Sequence, residues 1–273
     1  MKLKNVFLLL AAMTAGITQT GCKDNDDTQD TVLKPMEKHI MGKWNMVGNS
    51  IFVDGKWEEQ DNDNNTAMTM EFRADGTEVR TMTRSDGFTT LASASWEVDN
   101  ATNELKDAGK FNVYSLTADE LIFGANQAYY PETGEMAEMK SKWFFKRIDT
   151  SVKTLAEQMV GKWHSKSYEK VDGEWKEITF GVPDVGMVSF LETGFCKMYS
   201  KVGEMENTSE LMWSVNGTTN ELRLKIDGRE DVIQRIEFVD ENSWCNYYDT
   251  NTDHTTGEVR KGEFKDVMLL VKE

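Results

Sequence analysis

The sequence predicts an all-β protein: two successive up-and-down antiparallel β-barrels, each preceded by a short helix. Three observations carry this expectation. The tripeptide Gly-Lys-Trp occurs twice, at Gly42-Lys43-Trp44 and Gly161-Lys162-Trp163, and the same punctuation follows each copy in the same order. Between the turn residues run short stretches in which apolar and polar residues alternate, the period of a strand with one buried face. Helix signals are confined to the segments just ahead of each tripeptide.

The repeat is carried by matched blocks. Val53-Asp54-Gly55-Lys56-Trp57 returns as Val171-Asp172-Gly173-Glu174-Trp175, and Phe72 with Gly76 returns as Phe190 with Gly194. Trp96 with Thr102-Asn103-Glu104-Leu105 returns as Trp213 with Thr219-Asn220-Glu221-Leu222, and Thr133-Gly134-Glu135 as Thr256-Gly257-Glu258. A period of roughly 120 residues exceeds the ~20–50 of a solenoid unit and fits two whole domains. The 273 residues therefore divide into residues 1–22, a polar stretch 23–33, a first domain 34–149 and a second domain 150–273.

Lys2 and Lys4 precede an apolar run over 6–12 that fades through Ile17 and stops at Gly21-Cys22, the layout of an export signal. The run is shorter than the ~20 apolar residues a spanning helix needs. Thr20-Gly21-Cys22 resembles the lipobox of bacterial lipoproteins, and the resemblance implies that Cys22 is the lipid attachment site. Lys23-Asp24-Asn25-Asp26-Asp27 resembles the acidic export tag of Bacteroides-type surface lipoproteins. Together these imply an outer-membrane lipoprotein exposed at the cell surface, touching the membrane through its N-terminal lipid only. The alternative is an ordinary secretory signal followed by a polar linker. In either case 23–33 holds too few apolar residues to offset the entropy of ordering and reads as a tether.

In the first domain, Pro35 to Met41 makes a helical turn that leads into Gly42. Asp54-Gly55 is a two-residue hairpin signal, since both central positions favour positive φ. Residues 68–72 alternate strictly, Asp75-Gly76 turns the chain, and 78–82 and 91–98 are the next strands, stopped by Asp99-Asn100. Strands over 110–116, 120–123 and 140–148 close the unit. In 151–160, Val152, Leu155, Ala156 and Met159 fall at helical spacing, with Thr150 or Ser151 available as a cap. The second meander then runs through 187–190, 211–215, 222–226, 232–238, 244–248 and 264–271. About eight short strands per unit, evenly punctuated, are the signature of an antiparallel barrel or sandwich.

A short helix, then Gly-x-Trp at the head of the first strand, then such a meander resembles the lipocalin family, and more narrowly its lipocalin-like domains. The resemblance implies that Gly42 with Trp44, and Gly161 with Trp163, form a structural barrel-end motif. It also implies that a basic residue of the last strand covers each tryptophan: Arg147 in the first domain, and Lys272 or Arg260 in the second.

The formal charge of −16 repels phosphate backbones, so nucleic acid is not an expected partner. His39, His164 and His254 lack metal-ligand spacing, and no metal or other cofactor is expected. Asp61-Asn62-Asp63-Asn64-Asn65 and the stretch from Asp249 to Asp253 lack the Gly and Glu that a calcium loop of the EF-hand kind places at its sixth and twelfth positions. Cys196 and Cys245 are both in the second domain, and export would permit them to pair, but spacing alone does not bring them together. No Gly-x-Ser-x-Gly elbow, phosphate loop or activated Cys/His pair is present, so an enzyme is not expected.

What remains is binding. Met46, Met70, Met82, Trp96, Tyr114 and Phe123 in the first unit, and Met198, Trp213, Trp244 and Tyr247 in the second, are the residues that would line a pocket for a small apolar or amphipathic ligand. The same residues would equally form a packed core, as small barrels often do. The rival function is a solid-barrelled surface protein whose acidic loops dock a protein or glycan partner, which the sequence does not identify.

Overall fold

A computed structural model describes residues 32–60, 67–107, 109–130, 135–179, 183, 185–225, 228–252 and 256–272. The protein is all-β, and its strands join in antiparallel ladders; two five-residue helices are the other regular elements among the described residues. Two compact units emerge: Met1–Arg80 with Ser93–Ser151, and Thr81–Ala92 with Val152–Glu273.

The first unit begins with α1 (Met36–Ile40), then β1 (Gly42–Val53), β2 (Lys56–Glu59) and β3 (Ala67–Phe72). Next come β4 (Thr77–Thr83) and β5 (Phe88–Asp99), whose adjoining ends count with the second unit. The unit continues with β6 (Glu104–Asp107), β7 (Lys110–Leu116) and β8 (Glu120–Gly124), and finishes with β9 (Gln127–Tyr130), β10 (Glu135–Glu138) and β11 (Ser141–Ile148). Strand β1 pairs with β2, β3 and β11, and from β11 the ladders run through β8, β7 and β6 to β5. The β1–β2 turn places Asp54 at φ 50° and Gly55 at 83°, the doubly positive conformation that an Asp-Gly pair tolerates. Met36 and Ile40 of α1 drop into a core with Trp44, Phe72, Leu105, Leu121 and Phe145.

The second unit contains α2 (Leu155–Met159), β12 (Gly161–Val171), β13 (Glu174–Glu177), β14 (Val185–Phe190) and β15 (Phe195–Val202). It continues with β16 (Met205–Asn216), β17 (Glu221–Lys225), β18 (Val232–Asp240), β19 (Ser243–Thr252) and β20 (Val259–Leu270). Its ladders run from β12 to β14, then through each successive strand to β20, which pairs again with β12. Ala156 and Met159 of α2 join Trp163, Phe190, Trp213, Trp244 and Leu91 in the core.

The second helix is shorter than its apolar spacing suggests and starts later. Val152 is exposed, and the cap is Thr154 rather than Thr150 or Ser151. Thr154 Oγ1 accepts from the backbone N–H of Glu157, while the Glu157 carboxylate accepts from the backbone N–H of Thr154 at 2.7 Å. That reciprocal pair satisfies two donors that a helix start otherwise leaves open, and so it decides where the helix begins.

Candidate functional site

The two tryptophans of the repeated tripeptide occupy equivalent places. Trp44 Nε1 donates to the Ile40 carbonyl at 2.7 Å, and Trp163 Nε1 donates to the Met159 carbonyl at 2.8 Å. Each indole is fully buried, so its single N–H has its required partner on the helix just before it. Gly42 and Gly161 take φ of 116° and 146°, and a Cβ on Gly42 would stand 2.6 Å from Arg147 Nη1. A glycine is therefore needed two residues before each indole, for backbone conformation and for room.

The cover over the ring differs between the units. In the first, Trp44 pairs across the ladder with Arg147, whose guanidinium lies 4.0 Å from the ring centroid and donates to the carbonyls of Met41, His39 and Ala118. In the second, the cross-strand partner of Trp163 is Leu270, and neither Lys272 nor Arg260 takes the position. Trp163 meets Phe238 and Trp244 edge-on at 6.3 and 6.0 Å. An apolar cap suffices there because the ring is already enclosed by aromatic neighbours.

Beyond Trp163 the second unit holds a cavity of about 1340 Å³. Side chains on alternate strand positions share a face, and the face carrying Trp163 on β12 continues through Ser165 to Ser167. On β20 the matching series is Phe264, Asp266 and Met268, and on β19 it is Trp244 and Asn246. The end nearest Trp163 is apolar, walled by Val188, Phe190, Leu222, Leu224, Trp244 and Met268. Further along, the wall turns polar at one level. Ser167 Oγ and the Tyr248 hydroxyl both donate to Asp266 Oδ1, the latter at 3.0 Å, and the Asn246 side chain also bonds to the carboxylate. Burial pushes the Asp266 carboxyl above its usual range, while the three hydrogen bonds pull it back. Burial, then the Asp266 charge, raises the Tyr248 phenol, and burial with a 3.0 Å bond to Glu237 pushes Tyr247 up to about 12. Trp244 Nε1 is buried in this wall with no acceptor among the described residues.

Three of the four residues named from the sequence in this unit, Met198, Trp244 and Tyr247, line the cavity. Trp213 does not; it packs 5.0 Å from Phe190 and donates to the Leu191 carbonyl at 3.3 Å. In the first unit Met70 and Phe123 are buried in the core, with Met46 and Trp96 packed against it. Tyr114 lies under Lys142 at 4.5 Å, and Met82 is half-buried on β4 in the segment that counts with the second unit. Cys196 and Cys245 are both buried free thiols. Cys22, the 61–65 stretch, Asp253 and His254 lie outside the described residues. His164 Nδ1 bonds the Gly186 carbonyl at 3.0 Å, and the His39 carbonyl accepts from Arg147.

The polar members of the cavity, Ser167, Asn246, Tyr248 and Asp266, escape a search for apolar lining. Their signal is a break in alternation: in Phe264-x-Asp266-x-Met268 a carboxylate stands on the apolar face. The first unit holds a comparable break. Glu78 and Arg80 on β4 and Asp107 on β6 form a buried group in which Arg80 Nε donates to Glu78 at 3.0 Å and Arg80 Nη2 donates to Asp107. Burial pushes both carboxyls up, Glu78 to about 8, against the pull of the guanidinium.

Among the described residues no three His, Cys, Asp or Glu side chains are grouped to hold a metal ion, and no helix is long and apolar enough to cross a membrane.

Residues 40–123 match the family model of a lipocalin-like domain. The matched segment starts at Ile40, the acceptor for Trp44, and ends in β8, so it excludes Arg147. No curated protein matches the chain. Among solved structures, a protein of unknown function from the DUF3598 family of Nostoc punctiforme is similar at 10% identity. That likeness has a TM-score of 0.26 and covers 86% of this chain and 97% of the other.

Proposed function

We propose that the chain consists of two successive lipocalin-like barrels, over 34–149 and 150–273, and binds a small apolar or amphipathic molecule in the second without catalysing a reaction on it. The observation that carries this reading is the cavity of about 1340 Å³ beyond Trp163, apolar at one end and polar at one level of its wall. Concave, mostly apolar sites with a few placed polar groups are the usual form of a small-molecule pocket. The buried Trp244 Nε1 supports the reading, since a buried donor without an acceptor is costly and an occupant or solvent would relieve it. The lipocalin-like match over 40–123 supports the same class of function. In this reading the domains are held at the outer face of the outer membrane by a lipid on Cys22, with no membrane contact of their own.

Trp244 lines the inward wall of the cavity, so its fluorescence reports occupancy. Titration with fatty acids, sterols and bile acids is expected to quench tryptophan emission saturably for at least one class. Native mass spectrometry of protein extracted from cells is expected to show a small molecule released on denaturation. No quenching across the panel and no released molecule would overturn the reading and leave the surface interaction protein as the better account.

A further inference from the structure

The cavity's polar level has a definite chemical character. Asp266 is flanked on the inward face of β20 by Phe264 and Met268, and the Tyr248 ring that bonds it is stacked on Phe264 at 5.6 Å, which fixes the hydroxyl. Every group that shifts Asp266 by hydrogen bonding is neutral: Ser167, Tyr248 and Asn246. Of the cations that border the cavity or flank Asp266, Arg235 is exposed and stands on the face of β18 opposite the buried Ile236, and two others are held by neighbours. Lys265 lies over the Trp175 and Tyr168 rings, and Lys170 pairs with Glu263 at 2.8 Å. Asp266 remains half-buried and part of the cavity wall, so an occupant can reach it. It stands four residues from Leu270, the partner of Trp163, which is roughly 13 Å along a strand, and the apolar wall fills that interval.

We propose that this cavity selects an apolar molecule whose head group donates hydrogen bonds, an amine or a hydroxyl rather than a carboxylate, with Asp266 as the acceptor. The inference rests on reading the cavity as a binding site. An anionic head placed against Asp266 would face a like charge, which is the repulsive element that selectivity needs. An ammonium brings the opposite charge that none of the hydrogen-bond partners of Asp266 supplies, and a hydroxyl brings a donor at lower desolvation cost. Ser167 and Tyr248 act as positioning residues, holding the carboxylate through one oxygen.

The test uses the full chain and three probes that share a twelve-carbon tail: dodecylamine, dodecanol and dodecanoate, each below its aggregation limit and measured by calorimetry. Dodecylamine is expected to bind at least about tenfold tighter than dodecanoate, the factor expected when one charge-assisted bond is gained, with dodecanol between them. In Asp266→Asn the amine advantage is expected to vanish while dodecanol binding survives. This arm is decisive because the chain's overall negative charge attracts any cation. Repeating the wild-type series in high salt, which screens the remote surface charge far more than a direct contact with Asp266, keeps the test standing if the variant does not fold. Equal affinities, tightest binding by dodecanoate, or an amine preference that persists in Asp266→Asn would overturn the inference and leave the cavity a binding site. Binding of none of the three, together with silence across the fatty-acid, sterol and bile-acid panel, would overturn both.

Discussion

At the residue scale, the polar side chains on inward faces carry the most information, because each one disfavours the apolar packing around it and persists only when partnered. Glu78 is the sharpest case. It is fully buried beside Arg80 and Asp107, and one guanidinium serves two carboxyls. Burial lifts its pKa from the usual 4.5 to about 8, with Asp107 adding to the lift and Arg80 opposing it. A group whose pKa is higher folded than unfolded contributes stability that is complete below the unfolded value and disappears as pH rises through the folded one. Stability is therefore expected to fall as pH rises from about 4.5 to about 8 and to level off above that. Glu78→Gln keeps the shape and hydrogen-bonding capacity of the protonated acid and has no proton to lose. Urea unfolding across this window is expected to show a flatter profile for the variant and greater stability than wild type near pH 8. Parallel profiles would mean that Glu78 does not hold its proton in the folded state.

At the element scale, the second helix shows how one side chain outweighs periodicity. Four apolar residues at helical spacing point to a start near 151, yet the helix begins after Thr154, because Thr154 and Glu157 each satisfy a backbone donor of that first turn. Thr154→Ala is expected to cost about 1 kcal/mol, the usual worth of such a cap, read as a lowered denaturation midpoint at unchanged m-value. Loss of less than a few tenths would mean that packing of Ala156 and Met159 alone sets the helix. The Thr-x-x-Glu signal stands in the sequence, and the attraction of Val152 to the apolar pattern obscures it. Turns were more legible than ends: Asp54-Gly55 and Asp172-Gly173 both adopt the doubly positive φ that their residue types favour. Where the ladders extend past the apolar alternation, as β16 does from Met205 through Leu211, polar residues on both faces hide the strand from a pattern search. The cavity was partly legible for the same reason. Trp244 and Met198 announce themselves as apolar, whereas Asp266 and Ser167 become visible as site residues when β12 and β20 are placed side by side, Ser167 opposite Asp266.

At the scale of the whole molecule, the proposal that the chain is tethered by a lipid on Cys22 can be tested directly. Lys2, Lys4 and the apolar run before Cys22 are followed by polar, largely acidic residues through Thr31, and the formal charge of the chain is −16. The expected tether ends before 33, because Val32 bridges Leu116 and the Leu33 N–H donates to the Leu116 carbonyl at 2.9 Å. A chain so acidic is repelled by anionic headgroups, which favours attachment through acyl chains over attachment through its surface. Each buried methylene contributes ~0.8 kcal/mol, so several chains on one cysteine hold a soluble domain durably where a single chain would release it. If Cys22 is the anchor, Cys22→Ala is expected to move the protein from the outer-membrane fraction to the soluble fraction and to abolish incorporation of labelled fatty acid. The folded domains should be unaffected, so the variant is expected to keep the wild-type unfolding midpoint and its response to ligand. Protease added to intact cells is expected to remove the wild-type protein, as surface exposure requires. Wild type that is already soluble and unlabelled would instead make residues 1–22 an ordinary secretory signal. Gln19, standing where lipoproteins usually carry an aliphatic residue, would then be the position that set the outcome.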